Sequence, residues 1–193
     1  MPIHGCPDLR VVDILHDDGV WAILDEGCNM TCHSKSWRIN AQRKLQDLGL
    51  TMESLVAGKE YNGVGSTATK ASTMLRIPFS VKPLDERVKS LCGVIEGYEL
   101  EFEHDNFVPL LLSLPNQATL GLMKDMRNGT AFLKDYQVEI DLSKAKQNNL
   151  LCINTGASGE ALKYREKLPR NLRPLRIGSE EWIETFAGGE RSV

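Results

Sequence analysis

Short apolar and β-branched runs broken by polar turns dominate the first two thirds of the chain. "LRVVDIL" (9–15) and "VWAIL" (20–24) flank "HDDG", a cluster of turn-forming residues. The pattern predicts a hairpin that delivers Asp25 to the end of its second strand. The period then lengthens. In "SWRINAQRKLQDLGL", Trp37, Ala41, Leu45 and Leu48 recur at helical spacing. Ser34 or Ser36 suits the N-cap of this helix and Gly49 its C-terminal stop. "TMESLVAG" predicts a second short helix ending at Gly58, which makes residues 36–58 a helical stretch.

Strand signals then return. "KEYNGVGSTATKASTMLRIPFSV" (59–81) has two extended arms around a small, polar tip containing Gly63, Val64 and Gly65. In the second arm Leu75, Ile77, Phe79 and Val81 alternate with polar or small residues. "GVIEGYELEFE" (93–103) places Val94, Tyr98, Leu100 and Phe102 on one expected face. "FVPLLLSL" (107–114) is apolar throughout, as a strand buried on both sides requires. "PNQATLGLMKDM" predicts a short helix with Pro115 in its first turn, and "TAFL" and "YQVEIDL" close the β region. Beyond about residue 145 the pattern weakens into the basic, proline-punctuated "KYREKLPRNLRPLR" and the acidic "EEWIETF". The expected organisation is one β domain over 8–145 and a C-terminal extension over 146–193.

Composition narrows the field. The 193 residues suffice for a core without disulfide staples, and the net charge of −3 offers no electrostatic case for nucleic acid. No apolar segment approaches the roughly 20 residues of a membrane span, and the N-terminus lacks a basic-then-apolar leader pattern. The expectation is a protein of the cytoplasm with no membrane partner. Five cysteines, Cys6, Cys28, Cys32, Cys92 and Cys152, are an odd and mostly scattered set, which fits reduced thiols.

The candidate chemistry lies in "WAILDEGCNMTCHSKSW" (21–37). Asp25 ends an apolar run, and Asp and Gly favour turns, so the aspartate alone is equally an ordinary turn residue. Cys28, Cys32 and His33 are metal-ligating types, yet a second ligand pair at zinc-finger spacing is absent, so no metal or other cofactor is expected. Cys28 is expected to pack as a small apolar residue.

Taken together, "AILDEGCN", the glycine-tipped hairpin, "VPLLLSLPNQATLGL" and the order in which they occur resemble the retropepsin-like aspartic peptidases of retroviruses and retrotransposons. The resemblance spans roughly residues 8 to 143. It implies a closed β-barrel or sandwich with a flap hairpin, one short helix, residues 36–58 as a helical insertion, and the extension. It further implies a homodimer in which each copy gives Asp25 to a shared site on an extended peptide or polyprotein. Glu26, Gly27 and Cys28 would complete the active-site loop, and Gly63, Val64 and Gly65 the substrate-binding flap.

Two positions depart from the family pattern. Glu26 stands where the family has a hydroxyl residue that donates across the dimer. An ionised glutamate only accepts, so donation requires a protonated Glu26 and acidic conditions. Ser113 stands where the family has glycine. The alternative expectation is a non-catalytic module of the same fold that dimerises or binds peptide.

Overall fold

The computed structural model describes residues 8–61, 69–88, 90–104, 106–134 and 136–156. Over these the chain is mainly β. Its strands are β1 (Val11–Val12), β2 (Trp21–Asp25), β3 (Cys32–Ser34), β4 (Glu53–Tyr61), β5 (Thr69–Val81), β6 (Leu91–Glu101), β7 (Leu110–Ser113), β8 (Leu122–Asp125), β9 (Thr130–Leu133), β10 (Val138–Asp141), β11 (Ser143–Ala145) and β12 (Leu151–Asn154). Helix α1 (Lys35–Asp47) follows β3, and the short α2 (Leu114–Thr119) follows β7.

Nine strands form one mixed sheet in the order β1-β11-β12-β2-β7-β3-β6-β5-β4, and β10-β9-β8 form a second, antiparallel one. No closed barrel forms among the described residues. None of the helices there is long and apolar enough to cross a membrane.

The apolar run of β2 is explained by burial on both faces. Ala22 and Leu24 join the main core, whereas Trp21 and Ile23 pack with Val12, Ile14 and Cys152 on the opposite side. β7 lies parallel to β2 and is similarly enclosed, with Leu110 and Leu112 fully buried. Truncating either leucine to alanine is the kind of change that costs about 2–5 kcal/mol.

α1 has the ends its sequence predicts. Ser34 is the N-cap and accepts a hydrogen bond from the Trp37 N–H at 3.2 Å. At the other end Gly49 takes a left-handed φ of 69°. Its N–H reaches the Gln46 carbonyl and the Leu50 N–H reaches that of Leu45, a Schellman closure. Trp37, Ala41 and Leu45 are buried, as their spacing predicts.

Several expectations need correction. β1 and β2 do not form a hairpin. β1 pairs in parallel with β11 at the sheet edge, and β12 takes the place beside β2. The intervening turn is folded onto α1 instead, because the Lys44 ammonium donates to the carbonyls of Ile14 and Gly19 at 3.1 and 3.0 Å. The Asp17 carboxylate fixes the same turn by accepting from Gly19 N–H and Trp21 Nε1.

The expected helix at 51–58 is instead most of β4, an edge strand paired with β5 on which Val56 is 99% exposed. Ladder bonds to β5 override a weak helical pattern there. The helix after β7 stops at Thr119, because Gly121 at φ 60° turns the chain into β8. On β6 Leu91, Cys92, Ile95, Gly97 and Leu100 are buried, so of the four residues expected on one face Leu100 is buried while Val94, Tyr98 and Phe102 are only half-buried. Only the alternation in β5 holds throughout, with Leu75, Ile77, Phe79 and Val81 all buried.

β12 lies beyond residue 145, so the sheet draws on part of the predicted extension. The rest of that extension, 157–193, and the hairpin tip with Gly63, Val64 and Gly65 fall outside the described residues.

Candidate active site

β2 and β7 run parallel in the register Ala22↔Leu110 to Asp25↔Ser113, so Asp25 and Ser113 end their strands side by side. The chain then crosses the end of β7 and returns as β3, antiparallel to β7 on its other side. Residues 26–31 are therefore a loop draped over the point where β7 becomes α2. Backbone bonds fasten it. Cys28 N–H reaches the Asp25 carbonyl at 3.3 Å, and the Cys28 carbonyl accepts from Leu114 N–H at 3.0 Å.

Asp25 is half-buried, and its Oδ1 accepts from the Gly27 N–H at 2.9 Å. Oδ2 takes no hydrogen bond among the described residues. The carboxylate is thus oriented by its own loop and keeps one oxygen available. A Cβ built on Gly27 would come within 3.3 Å of Asp25 Oδ1, so the glycine permits the close approach.

Glu26 turns elsewhere. It is largely exposed and ion-paired to Lys124 of β8. Burial pushes the Lys124 ammonium below its usual value, while pairing with Glu26 acts in the opposite sense.

Beneath the loop lies a polar cluster that the sequence does not announce. The Thr31 hydroxyl is buried and accepts from Ser113 N–H at 3.1 Å and from Asn116 Nδ2 at 2.8 Å. It donates in turn to Ser113 Oγ at 3.2 Å. These bonds join the end of the loop to the start of α2 across 82 and 85 residues of sequence. Ser113, a departure from the family pattern, is here a buried N-cap residue whose hydroxyl meets Thr31.

Cys28 does not pack as a small apolar residue. It is half-exposed, its sulfur 2.7 Å from the Met30 carbonyl oxygen and 3.8 Å from Cys32 Sγ. The Cys32 thiol, hydrogen-bonded to it, holds Cys28 down to about 7 against the opposing cost of burial. Cys32, buried in β3, is pushed strongly upward by the same bond and by burial. The two titrate as a pair.

His33 is fully buried, tilted against Trp37 with ring centroids 4.8 Å apart, and its Nδ1 lies 3.0 Å from the Ser34 carbonyl oxygen. Burial lowers its pKa. Among the described residues no three His, Cys, Asp or Glu side chains converge as a metal site requires.

No protein-family model, curated protein or solved structure matches this chain.

Proposed function

We propose that the chain is an aspartic endopeptidase of retropepsin-like type, active as a homodimer. The observation that carries this reading is the placement of Asp25. It ends a buried strand, is oriented by the Gly27 N–H, and sits on a loop pinned to the start of α2. The order of strand, loop, β4–β5 hairpin, β6, β7 and α2 also supports it, because the resemblance implies the same succession.

In the dimer two Asp25 carboxyls would face each other. Two such groups cannot both ionise cheaply and share one proton. The ionised member takes a proton from water while the protonated member donates to the carbonyl oxygen of the scissile peptide. The water oxygen bonds to the carbonyl carbon, and the C–N bond breaks once the departing nitrogen is protonated. The β4–β5 hairpin would serve as the flap, closing on an extended peptide or polyprotein such as that of a mobile element.

The second reading is a non-catalytic module that dimerises or binds peptide. The Glu26–Lys124 pair favours it, since a paired carboxylate is not the donor that the family's hydroxyl provides.

Cleavage of casein and of a peptide library from about pH 3 to about pH 7 separates the two. The peptidase cuts at the acid end and Asp25→Asn does not, with sedimentation showing a dimer. An absence of cleavage in a folded dimer leaves the binding module, and a monomer at micromolar concentration counts against both.

A further inference from the structure

Cys28 and Cys32 have no part in the peptide chemistry just described, yet their sulfurs lie 3.8 Å apart. A disulfide needs about 2.05 Å between sulfurs. The remaining gap of somewhat under ~2 Å is within reach of a side-chain rotation and a small loop movement. Their settings differ in a useful way. Cys32 is fixed in β3 between Tyr98 of β6 and Leu111 of β7, whereas Cys28 sits half-exposed in the loop. One sulfur can move and meet solvent while the other stays in place.

We propose that Cys28 and Cys32 form an oxidation site, which a peroxide converts to a disulfide across the Asp25 loop. The Cys28 thiolate attacks one peroxide oxygen, the O–O bond breaks, and hydroxide (or alkoxide) leaves with its electron pair. Cys28 becomes a sulfenic acid. The Cys32 sulfur then attacks the Cys28 sulfur, the S–O bond breaks, and the Cys32 proton departs with the oxygen as water. With hydrogen peroxide, two thiols and one peroxide become one disulfide and two waters. A dithiol reverses the change by exchange.

The order of events follows from the two environments. The Cys32 thiol supports a thiolate at Cys28 by hydrogen bonding to it, so Cys28 is the nucleophile. Two of the causes that suppress ionisation of Cys32 are the bond to Cys28 and the charge there, and both disappear once Cys28 is a sulfenic acid. Cys32 thus acts second, still opposed by its burial and by the Asp25 charge. Cys92 and Cys152 are 4% and 0% exposed, and burial pushes the Cys152 thiol up to about 12. Neither competes as a nucleophile. The new bond would tie the residue three positions after Asp25 to a core strand. The site stands on the two sulfurs and holds whether or not Asp25 cuts peptide.

The test uses the reduced full-length protein, treated with hydrogen peroxide, alkylated and digested with trypsin. The peptide Val11–Lys35 carries Cys28 and Cys32 and no other cysteine. It should lose two hydrogens and resist alkylation, while the peptides with Cys92 and Cys152 alkylate fully. Dithiothreitol should restore both thiols. In Cys32→Ser a dimedone adduct should accumulate at Cys28, and in Cys28→Ser Cys32 should remain a free thiol. Three results overturn the proposal: an unchanged Val11–Lys35 peptide, oxidation of Cys92 or Cys152 at the same rate, or Cys28 joined to a second copy.

Discussion

Asp25 and Ser113 are neighbours across the parallel ladder of β2 and β7, although 88 residues of sequence separate them. Their adjacency sets the candidate site at the end of the sheet where the chain crosses from β2 to β3. It also places the buried Thr31 and Ser113, with the half-buried Asn116, under the loop that carries Asp25.

That cluster should be worth several ordinary hydrogen bonds. Thr31→Val keeps the shape but leaves the buried Ser113 N–H without its acceptor and the half-buried Asn116 amide without its partner. A loss of about 1–3 kcal/mol is expected, the cost of one buried group left unpaired. Thr31→Ser keeps the hydroxyl and should lose only about 1 kcal/mol for the missing methyl. Urea denaturation of the three proteins measures both. Equal stability of Thr31→Val and the parent would show that the cluster does not clamp the loop.

Gly97 is one of the points where β6 meets the core. A Cβ there would lie 3.0 Å from Ile77 Cδ1, 3.2 Å from His33 Cδ2 and 3.5 Å from Leu110 Cδ1. Gly97→Ala should therefore destabilise by about 1–3 kcal/mol through overpacking. A thermal midpoint at or above that of the parent would contradict this packing.

Stability should fall on acidification in two windows. Burial depresses the pKa of His33 in the folded state, so between that value and the ordinary 6.5 the unfolded chain binds the extra proton. The stabilisation is fully present above about pH 6.5 and is lost as pH falls through the folded value. Asp13, held to about 2 chiefly by its hydrogen bond with His16, behaves alike between 3.8 and about 2. Denaturation midpoints against pH should show both slopes, and His33→Leu should remove only the upper one. An upper slope that survives His33→Leu would reassign it to another group.

In the proposed peptidase, Glu26 should set the pH range of activity. Its pair with Lys124 is largely exposed on the glutamate side, so Glu26→Thr should change stability by no more than about 1 kcal/mol. In the peptidase, the same substitution supplies a hydroxyl that donates without protonation. The fall of kcat/KM toward neutral pH should then move upward. An enzyme fully active at neutral pH and abolished by Glu26→Thr would give Glu26 a role of its own, outside this account.

What the sequence alone determined is local. The apolar run of β2 ending at Asp25 was legible, as were a serine cap at Ser34 or Ser36, the Gly49 stop, the second arm of the hairpin and the alternation of Leu75, Ile77, Phe79 and Val81. Each is set by contacts within a few residues or by one face meeting one core, and these leave a period in the chain. Glu26 stood out only against the family pattern, which has a hydroxyl residue at that position. Partnership across the sheet leaves no such period. That β2 joins β7 and β12 and not β1, that 53–61 is an edge strand, that Thr31 anchors Ser113, and that Cys28 touches Cys32 instead of packing as an apolar residue all depend on tertiary packing. An apolar strand buried on both faces accepts any apolar neighbour by pattern. Which neighbour it has is settled by how the whole core fills, and only the folded chain carries that information.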